Sequence, residues 1–283
     1  MHPRNPHKDK YDLTKLSQAL PELSQFIFIN QYGDQTIDFS NYRAVRALNK
    51  AILKSEYQIS FWDIPQDFLC PPIPSRAEYI HQISDLFNSR ENLRVLDIGV
   101  GANCIYPIIG QFAYQWRFVG TDINQRALES AQHIIEQNKL DKKIELRLQV
   151  SHKHFFKNII QPEEVFDLTI CNPPFHENQE SRKQGTIRKW NNLGKSQIGS
   201  QLNFGGQDSE LWCPGGEKEF VLGMIKESLA YSNQVKWFSS LIAKRENLDK
   251  ILKEIKKLPI TFKIIEFEVG NKKSRILVWR TRN

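Results

Sequence analysis

Cysteine is scarce in this chain, and its four copies, Cys70, Cys104, Cys171 and Cys213, are far apart with no C-x-x-C pair. That spacing indicates neither a disulfide framework nor a zinc site. Two of the four fall inside apolar runs, as buried reduced thiols do. The roughly 20 consecutive apolar residues needed to cross a bilayer are missing too. The start, Met1-His2-Pro3-Arg4-Asn5-Pro6-His7-Lys8, carries no apolar segment after its charges, so a cytoplasmic protein is expected. Acidic residues are absent between positions 39 and 55.

What is present suits a folded protein. Hydrophobic residues make up 40% of the 283 positions and aromatics 11%, enough for one large domain or two modest ones and too much for general disorder. The net charge of +7 points to a polyanionic partner, although many basic proteins carry such charge only for solubility.

Residues 1–35 are polar and basic with scattered prolines and read as an arm lying on the body. A helical period follows at 41–54. Arg43, Arg46, Lys50 and Lys54 recur every three or four positions, opposite Val45, Leu48 and Ile52, which predicts a packed face and a cationic stripe suited to phosphate contact. Trp62-Asp63-Ile64-Pro65 and Cys70-Pro71-Pro72-Ile73-Pro74 form a proline-stiffened connector, and Ser75 is the expected N-cap of a helix over 76–87. We therefore divide the chain into a basic N-terminal extension, 1–74, and a main domain, 75–283.

From there strands and helices alternate. Apolar runs at 93–98, 117–123, 144–150, 165–171, 235–243, 260–269 and 275–279 predict strands, and periodic segments near 104–114, 124–138, 217–231 and 246–257 predict helices. This is an α/β pattern with a mostly parallel sheet covered on both faces. The alternation breaks at 176–207, a stretch of low apolar content carrying Arg182, Lys183, Arg188, Lys189 and Lys195, which reads as a functional loop.

Three strand ends carry the chemistry. Val95-Leu96-Asp97-Ile98-Gly99-Val100-Gly101 is a strand running into a glycine turn, where the missing Cβ lets a ligand approach the main chain. It lacks the third glycine of the dinucleotide fingerprint. Phe118-Val119-Gly120-Thr121-Asp122 ends in an acid placed to accept hydrogen bonds from both hydroxyls of a ribose. The last strand runs into Asn172-Pro173-Pro174-Phe175. The Asn172 side-chain oxygen and the Pro173 carbonyl can each accept a proton of a planar NH2 group, while Phe175 stacks on the attached ring. An NAD-type dehydrogenase accounts for the first two elements only. All three, in this order, are found in S-adenosylmethionine-dependent amino-methyltransferases.

Beyond this order, the chain resembles the bacterial adenine-N6 methyltransferases of large-subunit ribosomal RNA, and more distantly the eukaryotic enzyme that methylates U6 small nuclear RNA. The resemblance is carried by His2-Pro3-Arg4-Asn5, by Pro74-Ser75-Arg76-Ala77-Glu78-Tyr79-Ile80-His81, by Asp97-Ile98-Gly99-Val100-Gly101-Ala102-Asn103-Cys104-Ile105-Tyr106-Pro107, by Cys171-Asn172-Pro173-Pro174-Phe175 and by Gly215-Gly216-Glu217. It implies a Rossmann-like class I S-adenosylmethionine-dependent methyltransferase fold with a seven-stranded, mostly parallel sheet. It further implies transfer to N6 of adenine 1618 in 23S ribosomal RNA, free or in a large-subunit assembly particle, by a monomer without metal. The cofactor residues expected are Arg76, facing the methionine carboxylate, with Asp97, Gly99, Gly101, Asp122 and Asn172. No residue of Gln149-Val150-Ser151-His152-Lys153-His154, after the third strand, is singled out. Methylation of DNA adenine or protein glutamine, and a non-catalytic RNA-binding assembly factor, are the alternatives.

Overall fold

A computed structural model of the chain describes residues 1–174, 213–270 and 272–282. Phe175 and the 176–207 loop, with Arg182, Lys183, Arg188 and Lys189, lie outside the described residues.

The apolar runs form strands where side chains alternate between two packed faces. They are β3 (Arg94–Ile98), β4 (Arg117–Asp122), β5 (Ile144–Leu148), β6 (Phe166–Cys171), β7 (Val235–Ile242), β8 (Ile260–Val269) and β9 (Lys272–Thr281). Among the described residues they make a seven-stranded sheet of order β5-β4-β3-β6-β7-β9-β8, with β9 antiparallel to both its neighbours and the other pairs parallel. Alternation decides which core each side chain joins: Ile276 and Val278 pack in one hydrophobic cluster, Leu277 and Trp279 in the other. The first cluster lies under α3 (Ile73–Ser84), α4 (Ile105–Tyr114) and α5 (Gln125–Gln137). The second lies under α6 (Gly216–Ser228) and α7 (Arg245–Ile255).

The expected Ser75 cap of α3 is corrected. The helix starts at Ile73 with Pro72 at the N-cap and Pro74 in its first turn, where a missing N–H costs nothing because that position has no intrahelical partner anyway. It ends at Ser84, short of the expected 87.

The first 60 residues are more structured than an arm. They hold α1 (Leu13–Ala19), a 3-10 turn (Pro21–Phe26), the short hairpin strands β1 (Ile27–Ile29) and β2 (Gln35–Ile37), and α2 (Tyr42–Tyr57). Leu13, Leu16, Leu48 and Ile52 belong to the same cluster as Val95 and Ile170 of the central sheet. The N-terminus itself is tied down. Glu78 of α3, fully buried, accepts the His2 backbone N–H at 2.7 and 2.9 Å and the Asn5 side-chain amide at 2.7 Å. Arg4 is held by Asp85, Ser84 and the Tyr114 hydroxyl.

The cationic stripe also changes. No acid lies between positions 39 and 55, yet Asp63 of the connector folds back onto α2 and pairs with Arg46, and with Lys50 at 3.2 Å. Arg43 and Lys54 remain exposed. The stripe is therefore partly neutralised by a side chain outside its own helix.

Candidate functional site

Sheet register brings the three strand ends together. Ile98 is paired with Thr121 on one side and with Cys171 on the other. The residues that follow, Gly99, Asp122 and Asn172, therefore lie at one end of the sheet, where the strand order reverses between β3 and β6, the place ligands occupy in open α/β sheets.

The glycine turn is built to bend there. Gly99 and Gly101 have φ of 77° and 65°, in the region L side chains rarely adopt. The Gly99 and Val100 N–H groups both donate to the Thr121 carbonyl at 2.9 Å, and the Gly101 N–H donates to the Asp122 carboxylate at 3.0 Å. A Cβ placed on Gly99 would meet no atom within 4 Å, so its outer side faces open space. The other Asp122 oxygen accepts the Asn124 N–H at 2.9 Å. Burial raises the Asp122 carboxyl above its ordinary range, opposed by the N–H groups of Asn124, Gly101 and Ile123.

These residues border a cavity of about 390 Å³, which falls within the roughly 300–1,000 Å³ of small-molecule sites. Arg76, Gly99, Gly101, Asp122 and Asn172 all line it. Arg76 is nearly buried, with its guanidinium 5.6 Å from the centre of the Tyr106 ring. The Asn172 side-chain oxygen is buried and has no hydrogen-bond partner among the described residues, an unspent acceptor on a residue that lines the pocket. Asp97 is placed differently from its partners. It is fully buried, is not among the lining residues, and neither carboxylate oxygen has a partner. Pro173 is buried, and Pro174, which the sequence did not single out, lines the cavity.

The structure adds residues whose role the sequence did not reveal. Tyr106, Ser151, His152 and Phe155 line the same cavity. Gln149 does too, and it braces the turn after β5, donating to the Lys157 carbonyl at 3.0 Å and accepting the Ser151 N–H at 2.9 Å. For Gln149, Ser151 and His152 the position after the third strand was the only signal available. Glu217, part of the Gly-Gly-Glu motif, is a brace for the backbone. It accepts the Ala243 and Lys244 N–H groups and the Asn247 amide, holding the turn from β7 into α7.

Comparison with known proteins agrees with this geometry. A family model described as RNA methyltransferase matches residues 1–283. Two proteins named ribosomal RNA large subunit methyltransferase F are similar along the chain. The one from Christiangramia forsetii is 51% identical over 99% of both chains, and the one from Bacteroides fragilis is 49% identical over 99% of this chain and 98% of its own. Among solved structures, the human METTL16 catalytic domain in complex with MAT2A 3′UTR hairpin 1 has a TM-score of 0.83 at 30% identity, covering 99% of this chain and 95% of that one. The N-terminal domain of human METTL16 in complex with SAH has a TM-score of 0.78 at 28% identity, covering 100% and 99%. The sheet order is that of the class I methyltransferase fold, and the match leaves no part of the sequence outside it: the chain belongs to the RNA methyltransferase family.

Proposed function

We propose that the protein uses S-adenosylmethionine to methylate N6 of one adenine in 23S ribosomal RNA, adenine 1618 by resemblance. The observation that carries this reading is the buried Asn172 oxygen, unpartnered among the described residues, on the same cavity as the Asp122 carboxylate. One is an acceptor for a planar amine, the other for ribose hydroxyls. The cofactor fits the residues present: Arg76 for its carboxylate, Asp122 for its ribose, and the open side of Gly99 for close approach to the main chain. Bound S-adenosylmethionine supplies an electrophilic methyl group on a sulfonium.

The chain's own contribution is positioning. The adenine leaves its stack, and the Asn172 oxygen and the Pro173 carbonyl accept its two N6 protons so that the nitrogen lone pair points into the cavity. Phe175 stacks on the base for about 1–3 kcal/mol. No strong base is needed, because the nitrogen becomes cationic on attack and its proton is then acidic enough to leave to solvent. Exposed Arg43, and Arg182, Lys183, Arg188 and Lys189 of the loop, supply phosphate contacts. Arg46 and Lys50 contribute to the extent that RNA displaces Asp63. In this reading residues 1–74 are an RNA-binding extension of the methyltransferase domain 75–283, and the protein acts as a cytoplasmic monomer.

The test is incubation with radiolabelled S-adenosylmethionine and ribosomal RNA, DNA or protein acceptors, followed by nucleoside analysis and site mapping. Label in N6-methyladenosine at one 23S position is expected. Label in DNA or in glutamine overturns the assignment.

A further inference from the structure

The strand that carries Asn172 loses the support of one neighbour just before it reaches the site. The β6–β7 register ends at the pair Thr169 and Phe238, so Ile170 and Cys171 lie past the last residue paired on that side. A chain of hydroxyl groups takes over there. The Ser239 hydroxyl of β7 donates to the Thr169 carbonyl at 2.7 Å. Its one proton is then spent, so in its 2.9 Å bond with the Tyr79 hydroxyl the tyrosine is the donor. The Tyr79 oxygen in turn accepts the Cys171 backbone N–H at 3.4 Å. Hydrogen bonds therefore run in one direction from the Cys171 N–H through Tyr79 and Ser239 to the Thr169 carbonyl, tying α3 and β7 to the end of β6. Tyr79, Thr169 and Ser239 are all fully buried, so bulk water does not compete for these bonds. Burial also pushes the Tyr79 hydroxyl well above its ordinary value, which keeps it a donor.

Tyr79 stands between the two halves of the site. It lies one turn after Arg76 on α3, and its ring meets the Tyr106 ring edge-on with centroids 5.4 Å apart. Arg76 and Tyr106 both line the cavity, while the Tyr79 hydroxyl reaches the residue before Asn172. A phenylalanine would fill the same space without burying a hydroxyl, so packing alone does not account for the oxygen. We propose that Tyr79 is a positioning residue for methyl transfer, its hydroxyl fixing the backbone that leads into Asn172 and so aiming the Asn172 acceptor at the substrate amine. The ring backs the cofactor side through Tyr106, and the hydroxyl serves the substrate side. This inference rests on the proposed transfer site.

Tyr79→Phe in the full chain keeps the ring and removes the hydroxyl. Single-turnover transfer to ribosomal RNA, with cofactor and RNA saturating, should fall by about 3–10-fold, the effect of one buried neutral hydrogen bond, while the affinities for S-adenosylhomocysteine and RNA stay within about twofold. A double-mutant cycle adds a readout that a purely structural role does not move. In the Asn172→Ala background the same substitution should slow transfer no further, because the group it aims is gone. Where residual transfer by Asn172→Ala is too slow to measure, the split between rate and affinity decides alone. Ser239→Ala removes the acceptor of the tyrosine proton and should slow transfer in the same way, and it decides if Tyr79→Phe does not fold. A native transfer rate in the variant, an equal loss in cofactor affinity, or an undiminished effect in the Asn172→Ala background overturns the proposal and leaves the functional reading intact. A native chain that transfers no methyl group to RNA overturns both.

Discussion

The Gly101 backbone N–H donates to the Asp122 carboxylate across 3.0 Å, joining the turn after one strand to the acid that ends the next. That bond fixes the carboxylate while consuming one acceptor site on one oxygen, and the Asn124 N–H takes one on the other. The Ile123 N–H bonds to the carboxylate as well, and since a carboxylate has about four such sites, one stays open for a ribose hydroxyl.

Replacing Asp122 with Ala should therefore lower S-adenosylhomocysteine affinity by on the order of 10–100-fold, the loss expected for hydrogen bonds to a charged group worth about 1.5–3 kcal/mol. Calorimetry measures it, and affinity within twofold of the native chain would remove Asp122 from the cofactor site.

Asn172→Ala should behave oppositely. It removes an acceptor aimed at the substrate amine, so single-turnover methyl transfer should fall by at least about 100-fold while cofactor affinity stays within an order of magnitude. Unchanged turnover would sink the assignment.

Phosphate contact is a matter of salt dependence. Neutralising Arg182, Lys183, Arg188 and Lys189 together should weaken RNA binding and reduce the slope of log affinity against log salt by about 0.7–0.9 for each phosphate no longer neutralised. An identical slope would show that the loop makes no phosphate contacts.

Glu78 anchors the N-terminus through His2 and Asn5. Glu78→Ala leaves those donors buried without an acceptor and should cost about 2–4 kcal/mol of unfolding free energy in urea titration. Early proteolysis near residue 10 should accompany it.

Acid should destabilise the fold before carboxylates begin to protonate. Burial lowers both His7 and His81 from 6.5 to about 4, aided at His81 by His2 and Arg4. Because the folded values lie below the unfolded ones, the unfolded chain takes up protons first, and stability is lost as pH falls from about 6.5 towards about 4. At pH 5 the loss is on the order of 2 kcal/mol for each histidine. A melting temperature flat between pH 7 and pH 5 would contradict this.

The strands and the glycine turn were legible because their causes are local. Arg94–Ile98 is an apolar run closed by a residue that tolerates positive φ, and nothing distant is needed to read it. The start of α3 was misread for an equally local reason: Ser75 is a good cap, but Pro74 is also acceptable inside a first turn, and sequence alone does not rank them. The hairpin at Ile27–Ile29 and Gln35–Ile37 was not legible, since strands of three residues carry too little periodicity and form here against the rest of the extension.

Sequence by itself determined the α/β alternation, the order of glycine turn, acid and Asn-Pro-Pro-Phe, and the excess of positive charge, because periodicity and turn chemistry act over a few residues. Only the tertiary structure decided that Asp63 neutralises Arg46 and Lys50, that Glu78 holds the first residues, that Tyr106 and Phe155 share the cavity with Asp122, and that Asp97 is sealed away from it. Ion pairing and desolvation depend on distance through space, and these partners meet only when the sheet register and the helix packing bring remote parts of the chain together.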